Sequence, residues 1–415
     1  MTHTALRLAA ALVMAGGAVT ALTVAPAGAA PATCNASDSA IYTPPSSISG
    51  APGKLLACEL VTLPVVPGNI SMQAWKVQYV STDVHGAKIA VSGTVAVPAA
   101  PWPGPRPVIA FNPGTLGLGP QCAFSKQLAG AYQGEYESAN IAAILNAGYA
   151  VAATDGAGYL NGHVHTYVVG TNAGHALLDI ARAAFQVPGA GLSPAAKVGI
   201  WGYSEGGQAS LWAAQLAASY APGLHVAGAA AGGVPGDLKV TAAGLNGGAF
   251  AGFGLDAVIG LHTAYPDMPF CSLLNSAGLS AVSQAESLCW LATIASFAGA
   301  RIENYSTSHL TLNQIYALRG PEGTWGKIIN RQKLGVGLGI TYKISFPVFQ
   351  CRGLAEEVIP TATEDATHHA YCAAGITTQW NTYPGDHILT DTEAIGDVMS
   401  WFAGRFAGLP AAGNC

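Results

Sequence analysis

The chain has 415 residues, half of them hydrophobic and only 9% charged, with a formal net charge of −5. An acidic balance of this kind lacks the basic patch that a nucleic-acid partner requires. Its length exceeds a single ordinary core, and no Pro/Ser linker divides it, so it suits one large domain carrying an insertion.

Residues 1–30 place Arg7 before an apolar run, Leu8 to Val24, and then Ala27-Gly28-Ala29, with no acidic residue. This is the pattern of a secretory signal peptide. It predicts a secreted protein, extracellular or held at the cell envelope, and Thr33 ahead of Cys34 is a poor fit to a lipid-anchor signal. No later stretch offers 18 apolar residues free of charges and breakers, so the mature chain is expected to have no transmembrane segment. All eight cysteines follow the leader and none forms a Cys-x-x-Cys pair. In an oxidising compartment that composition predicts four disulfides, with no metal site and no organic cofactor.

Residues 31–70, rich in Pro, Ser and Gly, read as an irregular arm. From 71 to 237 the pattern is that of the first part of a layered core. Alternating β-rich runs at 73–80 and 88–97 predict an antiparallel hairpin across Thr82-Asp83-Val84-His85-Gly86. Strands follow at 107–111, 149–153, 198–202 and 225–233, separated by helical spacing at 140–147, 172–185 and 208–219. Strand, helix and strand in alternation argue for an α/β fold, a mostly parallel sheet with crossover helices. Between 238 and 343 the alternation gives way to helical pieces, read as an inserted cap. The core resumes over 344–415 with a strand at 344–350 and a closing amphipathic helix at 391–406.

Within the core, Val198 to Trp212 contains Gly202-Tyr203-Ser204-Glu205-Gly206 between an apolar strand and a small-residue helix. A Gly-x-Ser-x-Gly turn in that setting lifts a serine hydroxyl onto a sharp corner. A serine needs a base within hydrogen-bond reach and a carboxylate to hold that base's tautomer. In an α/β-hydrolase these follow in the order Ser, acid, His. His387, in Tyr383-Pro384-Gly385-Asp386-His387 just before the last helix, is the candidate base. His368 and His369 compete from a polar stretch, 361–369, that reads as solvated surface, whereas His163, His165 and His175 precede the serine. Glu356 is the candidate acid after the strand that precedes it, with Glu357 and Asp365 as rivals. Asp155 also precedes the serine and reads as a strand-end structural residue.

These stretches resemble the secretory lipase family, α/β-hydrolases typified by fungal lipase A. The likeness rests on Asn112-Pro113-Gly114-Thr115 running to Cys122-Ala123-Phe124-Ser125, on Gly148 to Asp155, Gly202 to Gly207, Gly353 to Pro360 and Gly385-Asp386-His387. The family usually has Asp at the place of Glu356 and Pro at that of Phe124. The resemblance implies that backbone N–H groups of Gly114, Thr115 and Glu205 form an oxyanion hole, and that the substrate is a lipid or other fatty-acyl ester met at a lipid–water interface. Two other readings stay open. One is a short-chain esterase or acyltransferase using the same machinery; the other is a non-catalytic cell-envelope binding protein on a hydrolase scaffold.

Overall fold

The computed structural model describes residue 1 and residues 34–132 and 134–415. Apart from Met1, the leader expected over 1–30 lies outside the described residues. Among these residues the framework is a nine-stranded sheet: β1 (Leu55–Val61), β2 (Met72–Thr82), β3 (Lys88–Pro98), β4 (Val108–Asn112), β5 (Ala150–Thr154), β6 (Lys197–Tyr203), β7 (His225–Gly232), β8 (Val348–Gly353) and β9 (Thr378–Tyr383). Their order across the sheet is β1-β2-β3-β5-β4-β6-β7-β8-β9. The first three strands and the β3–β5 pairing are antiparallel, and from β5 to β9 the sheet is parallel.

Strands buried on both faces read as continuous apolar runs rather than alternating ones. All five residues of β4 and of β5 are buried. The side chains still part by twos. Ile109, Phe111 and Trp201 face a core shared with Ile141, Ile144, Val398 and Phe402, from the helices Ser138–Asn146 and His387–Phe406. Ala110, Val198 and Ile200 face the opposite core, with Leu177, Ala181, Ala209 and Ala213 from the helices Gly170–Ala184 and Glu205–Tyr220. Helices therefore cover both faces of the parallel region.

Four expectations need correction. The arm at 31–70 contains β1, which pairs with β2 and is stapled by Cys34–Cys58. The stretch 361–369 is not solvated surface but part of a helix, Thr361–Ala373, whose Glu364 and His368 are buried. Strand β8 starts at Val348, and β9 was not foreseen, because Thr-Gln-Trp-Asn-Thr-Tyr lacks an aliphatic run and lies at the sheet edge. Lastly, three disulfides form rather than four: Cys34–Cys58, Cys122–Cys289 and Cys372–Cys415. Cys351 is buried on β8, between β7 and the edge strand β9, and Cys271 is exposed in the helical segment between β7 and β8, so both remain thiols.

That helical segment packs against the loops leaving β4 and β5. Trp290 N–H donates to the Leu116 carbonyl (3.0 Å), Leu118 N–H to that of Leu288 (3.1 Å), and the Cys122–Cys289 disulfide closes the same seam. No helix of the described residues is long and apolar enough to cross a membrane.

Candidate active site

The parallel register brings four loop starts to one edge. Asn112 at the end of β4 pairs with Gly202 on β6, Tyr203 pairs with Gly232 on β7, and Gly353 on β8 pairs with Tyr383 on β9. Loops from β4, β6, β8 and β9 therefore leave the carboxyl side of the sheet together, where open α/β sheets place their sites.

Ser204 stands between β6 and its helix at φ 57°, ψ −119°, a positive φ that an L-residue adopts at a cost of order 1–3 kcal/mol. Two glycines permit the corner: a Cβ at Gly202 or at Gly206 would collide with the Asn112 carbonyl oxygen. Ser204 N–H donates to Gly232 O (2.8 Å), which ties the strained residue to β7.

The Ser204 hydroxyl lies 2.9 Å from His387 Nε2, and His387 Nδ1 lies 2.7 Å from Glu356 Oε2 and 2.8 Å from Oε1. A carboxylate only accepts, so the ring proton sits on Nδ1 and leaves Nε2 to take the serine proton. Glu356 Oε1 also accepts from the N–H groups of Val358 (2.9 Å) and Ile359 (2.8 Å). Burial alone would raise the Glu356 carboxyl. The hydrogen bond and positive charge of His387, with those two N–H groups, outweigh burial and hold it below the usual glutamate range.

His387 is not in a loop but is the first residue of the last helix, capped by Asp386, which accepts from Leu389 N–H (2.9 Å). Glu357 Oε2 accepts the His387 backbone N–H (3.0 Å), so the two neighbouring glutamates divide the work: one holds the ring and the other the backbone. The remaining candidates lie elsewhere. Asp365 pairs with Arg352 (2.9 Å), and His368 stacks on Trp380 at 4.7 Å between centroids. Asp155 accepts from Ser92 Oγ (2.6 Å) and from Ser125 N–H (2.7 Å), fastening the Phe124 turn to the end of β5. Phe124 itself is buried and packs on Phe111.

Of the three N–H groups expected to form an oxyanion hole, that of Gly114 is already engaged: it donates to Glu137 Oε2 at 2.6 Å. Gly114 is therefore withdrawn as a donor, the reason being a buried carboxylate that lies beyond the reach of local pattern. The N–H groups of Thr115 and Glu205 donate to nothing among the described residues, although both residues are buried. Glu205 turns its carboxylate to His165 Nε2 (2.6 Å), while His165 Nδ1 faces Ala157 O (2.9 Å). The Thr115 hydroxyl meets Tyr167 OH at 2.7 Å.

Among the acids that escaped sequence reasoning are Glu137, Asp256, Glu364 and Asp391, all nearly inaccessible to solvent. Burial, the largest cause for each, pushes their carboxyls up, Asp391 to about 7. The one available signal was Asp256, a lone charge in the apolar run Phe253 to Leu261. Above Ser204 a largely apolar cavity enters the helical segment, lined by Phe253, Val258, Leu261, Ile315, Trp325 and Val358 among others. Among the described residues, no three His, Cys, Asp or Glu side chains are grouped to hold a metal ion.

Comparison with known proteins matches residues 124–414 to the family described as secretory lipase. Lipase A of Moesziomyces aphidis is 30% identical over 385 residues, 89% of this chain and 79% of its own length. A Mycobacterium tuberculosis protein, named a probable inactive lipase, is 28% identical over 90% of this chain and 83% of its own. In three dimensions the chain is similar to Candida antarctica lipase A in its closed state, with a TM-score of 0.79, 26% identity and coverage of 90% and 87%. It also shares its fold with the rice cell wall degrading esterase of Xanthomonas oryzae, TM-score 0.67 at 17% identity, over 86% and 100% of the two chains.

Proposed function

The chain belongs to the secretory lipase family of carboxylic ester hydrolases, and we propose that it is exported and cleaves fatty-acyl esters through Ser204, His387 and Glu356. The unbroken hydrogen-bond chain from Ser204 Oγ through the imidazole to a carboxylate carries this reading. Ser204 Oγ attacks the acyl carbon while its proton passes to Nε2, and the C=O π pair moves to oxygen. Thr115 and Glu205 N–H groups receive that oxyanion. Collapse expels the alcohol, which takes the proton from Nε2, and water then repeats the sequence to release the acid. Glu356 keeps Nδ1 protonated throughout and offsets the charge of the imidazolium.

Residues 238–343 act as a cap whose apolar cavity holds the acyl chain. Leu354, Ile388 and Leu389, exposed beside His387, suit a rim that meets a lipid–water interface. The kinship with a probable inactive lipase keeps a non-catalytic reading in play. Hydrolysis of p-nitrophenyl esters from C2 to C16, beside emulsified triglyceride, separates lipase, esterase and inactive protein. Serine-directed fluorophosphonate should label the wild type and spare Ser204→Ala. Absence of both labelling and hydrolysis would reject the catalytic reading.

A further inference from the structure

We propose that Glu137 is a positioning residue of the oxyanion hole, fixing the Gly114–Thr115 loop by accepting the Gly114 N–H and joining that loop to the helix that carries His387. The inference rests on the catalytic reading above and adds to it a residue that touches none of the reacting atoms.

Glu137 immediately precedes the helix Ser138–Asn146 and is fully buried. Its backbone carbonyl accepts from Asn140 N–H (3.0 Å), which anchors the residue, and its Oε2 takes the Gly114 N–H at 2.6 Å. Consecutive peptide groups in a loop cannot both be turned freely, so engaging Gly114 constrains the peptide that presents Thr115 N–H. The same helix start reaches the base. Asn140 Nδ2 donates to Asp391 Oδ1 (3.0 Å), and Asp391 lies one helical turn after His387.

Charge separates Glu137 from the other carboxylate beside the oxyanion site. Glu205 is matched by His165, whereas Glu137 Oε1 has no partner among the described residues. The groups facing Glu137 are the carboxyls of Asp391 on the base helix, Glu135 on its own loop and Glu205 on the nucleophile helix, with the Tyr136 phenol alongside; Asp391 in turn faces His387. All of these carboxyls oppose its ionisation. Glu137 and Asp391 thus titrate as a pair, and full ionisation places negative charge directly behind the loop that must receive an oxyanion.

The test compares Glu137→Met and Glu137→Gln with wild type and Ser204→Ala, using p-nitrophenyl butyrate and thermal unfolding. Removing the acceptor should lower kcat on the order of 10²-fold with KM changed by less than about threefold, as for loss of an oxyanion donor. Glutamine, whose amide oxygen can still accept, should recover kcat to within about tenfold. Its pH profile should lose the alkaline fall in kcat expected of wild type, where ionisation of the Glu137–Asp391 pair, opposed by burial and by the neighbouring carboxyls, is completed. A folded Glu137→Met with kcat within threefold of wild type overturns the proposal. So does an unchanged alkaline limb in Glu137→Gln, even where the methionine variant fails to fold. Residual turnover in Ser204→Ala would instead sink the proposed nucleophile, so the two failures are distinguishable.

Discussion

The floor of the site and the cap above it are built on opposite principles. At Ser204 the arrangement is one of single atoms: one hydroxyl, two ring nitrogens and one carboxylate linked in sequence at 2.7–2.9 Å, so the proposed function would depend on each. In the cap, Phe253, Val258, Leu261 and Trp325 present apolar surface whose effect is a sum over many contacts. A directional chain fails when one link fails, while a summed surface changes by degrees. The floor should therefore respond to substitution in orders of magnitude and without regard to acyl chain, and the cap in smaller steps that depend on it.

The largest effect expected is that of Ser204→Ala, which should lower kcat/KM by on the order of 10⁴–10⁶-fold at nearly unchanged melting temperature. Activity above a hundredth of wild type would break the contrast at its base. Next, Glu356→Gln should cost roughly 10⁴ in kcat, the scale of tautomer loss in serine proteases. Glu357→Gln should cost less than about tenfold, since an amide oxygen can still accept the His387 N–H. Kinetics of the two variants in the reverse order would exchange their roles. Glu356→Asp supplies the family's usual residue on a backbone spaced for glutamate, and intermediate turnover is expected.

A third experiment moves to the cap. Val258→Trp fills the cavity and should reduce turnover of C12–C16 esters by roughly 10–100-fold relative to C4, a differential of the size that apolar pockets supply. An equal loss on both substrates would remove the cavity from acyl recognition.

Smaller still is a pH effect on folding. Burial raises Glu137, Asp256, Glu364 and Asp391, so between about pH 4, where such groups titrate unfolded, and about 7, the value for Asp391, the native state holds more protons. Stability is then fully present at low pH and is lost as pH rises through that window. The lowered carboxyls of Glu356, Asp237 and Glu303 act in the opposite sense but are outnumbered by the raised ones. Calorimetry should give a higher melting temperature at pH 5 than at pH 8, and the reverse order would refute this balance. The smallest effect concerns thiols. One should react with Ellman's reagent in the native protein, the exposed Cys271, and a second only after unfolding, the buried Cys351. Detection of no thiol in denaturant would restore the fourth disulfide.

Residues whose role is local could be read from the chain. The Gly202 to Gly206 turn is such a case, because its glycines, apolar strand and small-residue helix are contiguous and the geometry follows from sterics. So are the hairpin β2–β3, the apolar runs of β4 to β7 and the helical stretch between β7 and β8. His387 and Glu356 were approachable because strand order limits where a base and an acid can lie, and the structure brings His387 to Ser204 and Glu356 to His387.

What escaped was set by partners far along the chain. The cysteines announced oxidation, yet which of them pair depends on which layers come within bonding distance, and Cys351 is enclosed in the sheet. β9 exists because β8 offers it an edge, which overrides a composition poor in aliphatics. The engagement of Gly114 by Glu137 and the burial of four acids arise only when separate segments close over one site. Sequence by itself determined the nucleophile turn and the α/β alternation, since steric limits and side-chain periodicity act over a few residues. Tertiary structure alone decided which loop N–H groups are left unengaged beside Ser204 and how far burial raises the carboxyls around them, because hydrogen-bond competition and desolvation depend on every group packed nearby.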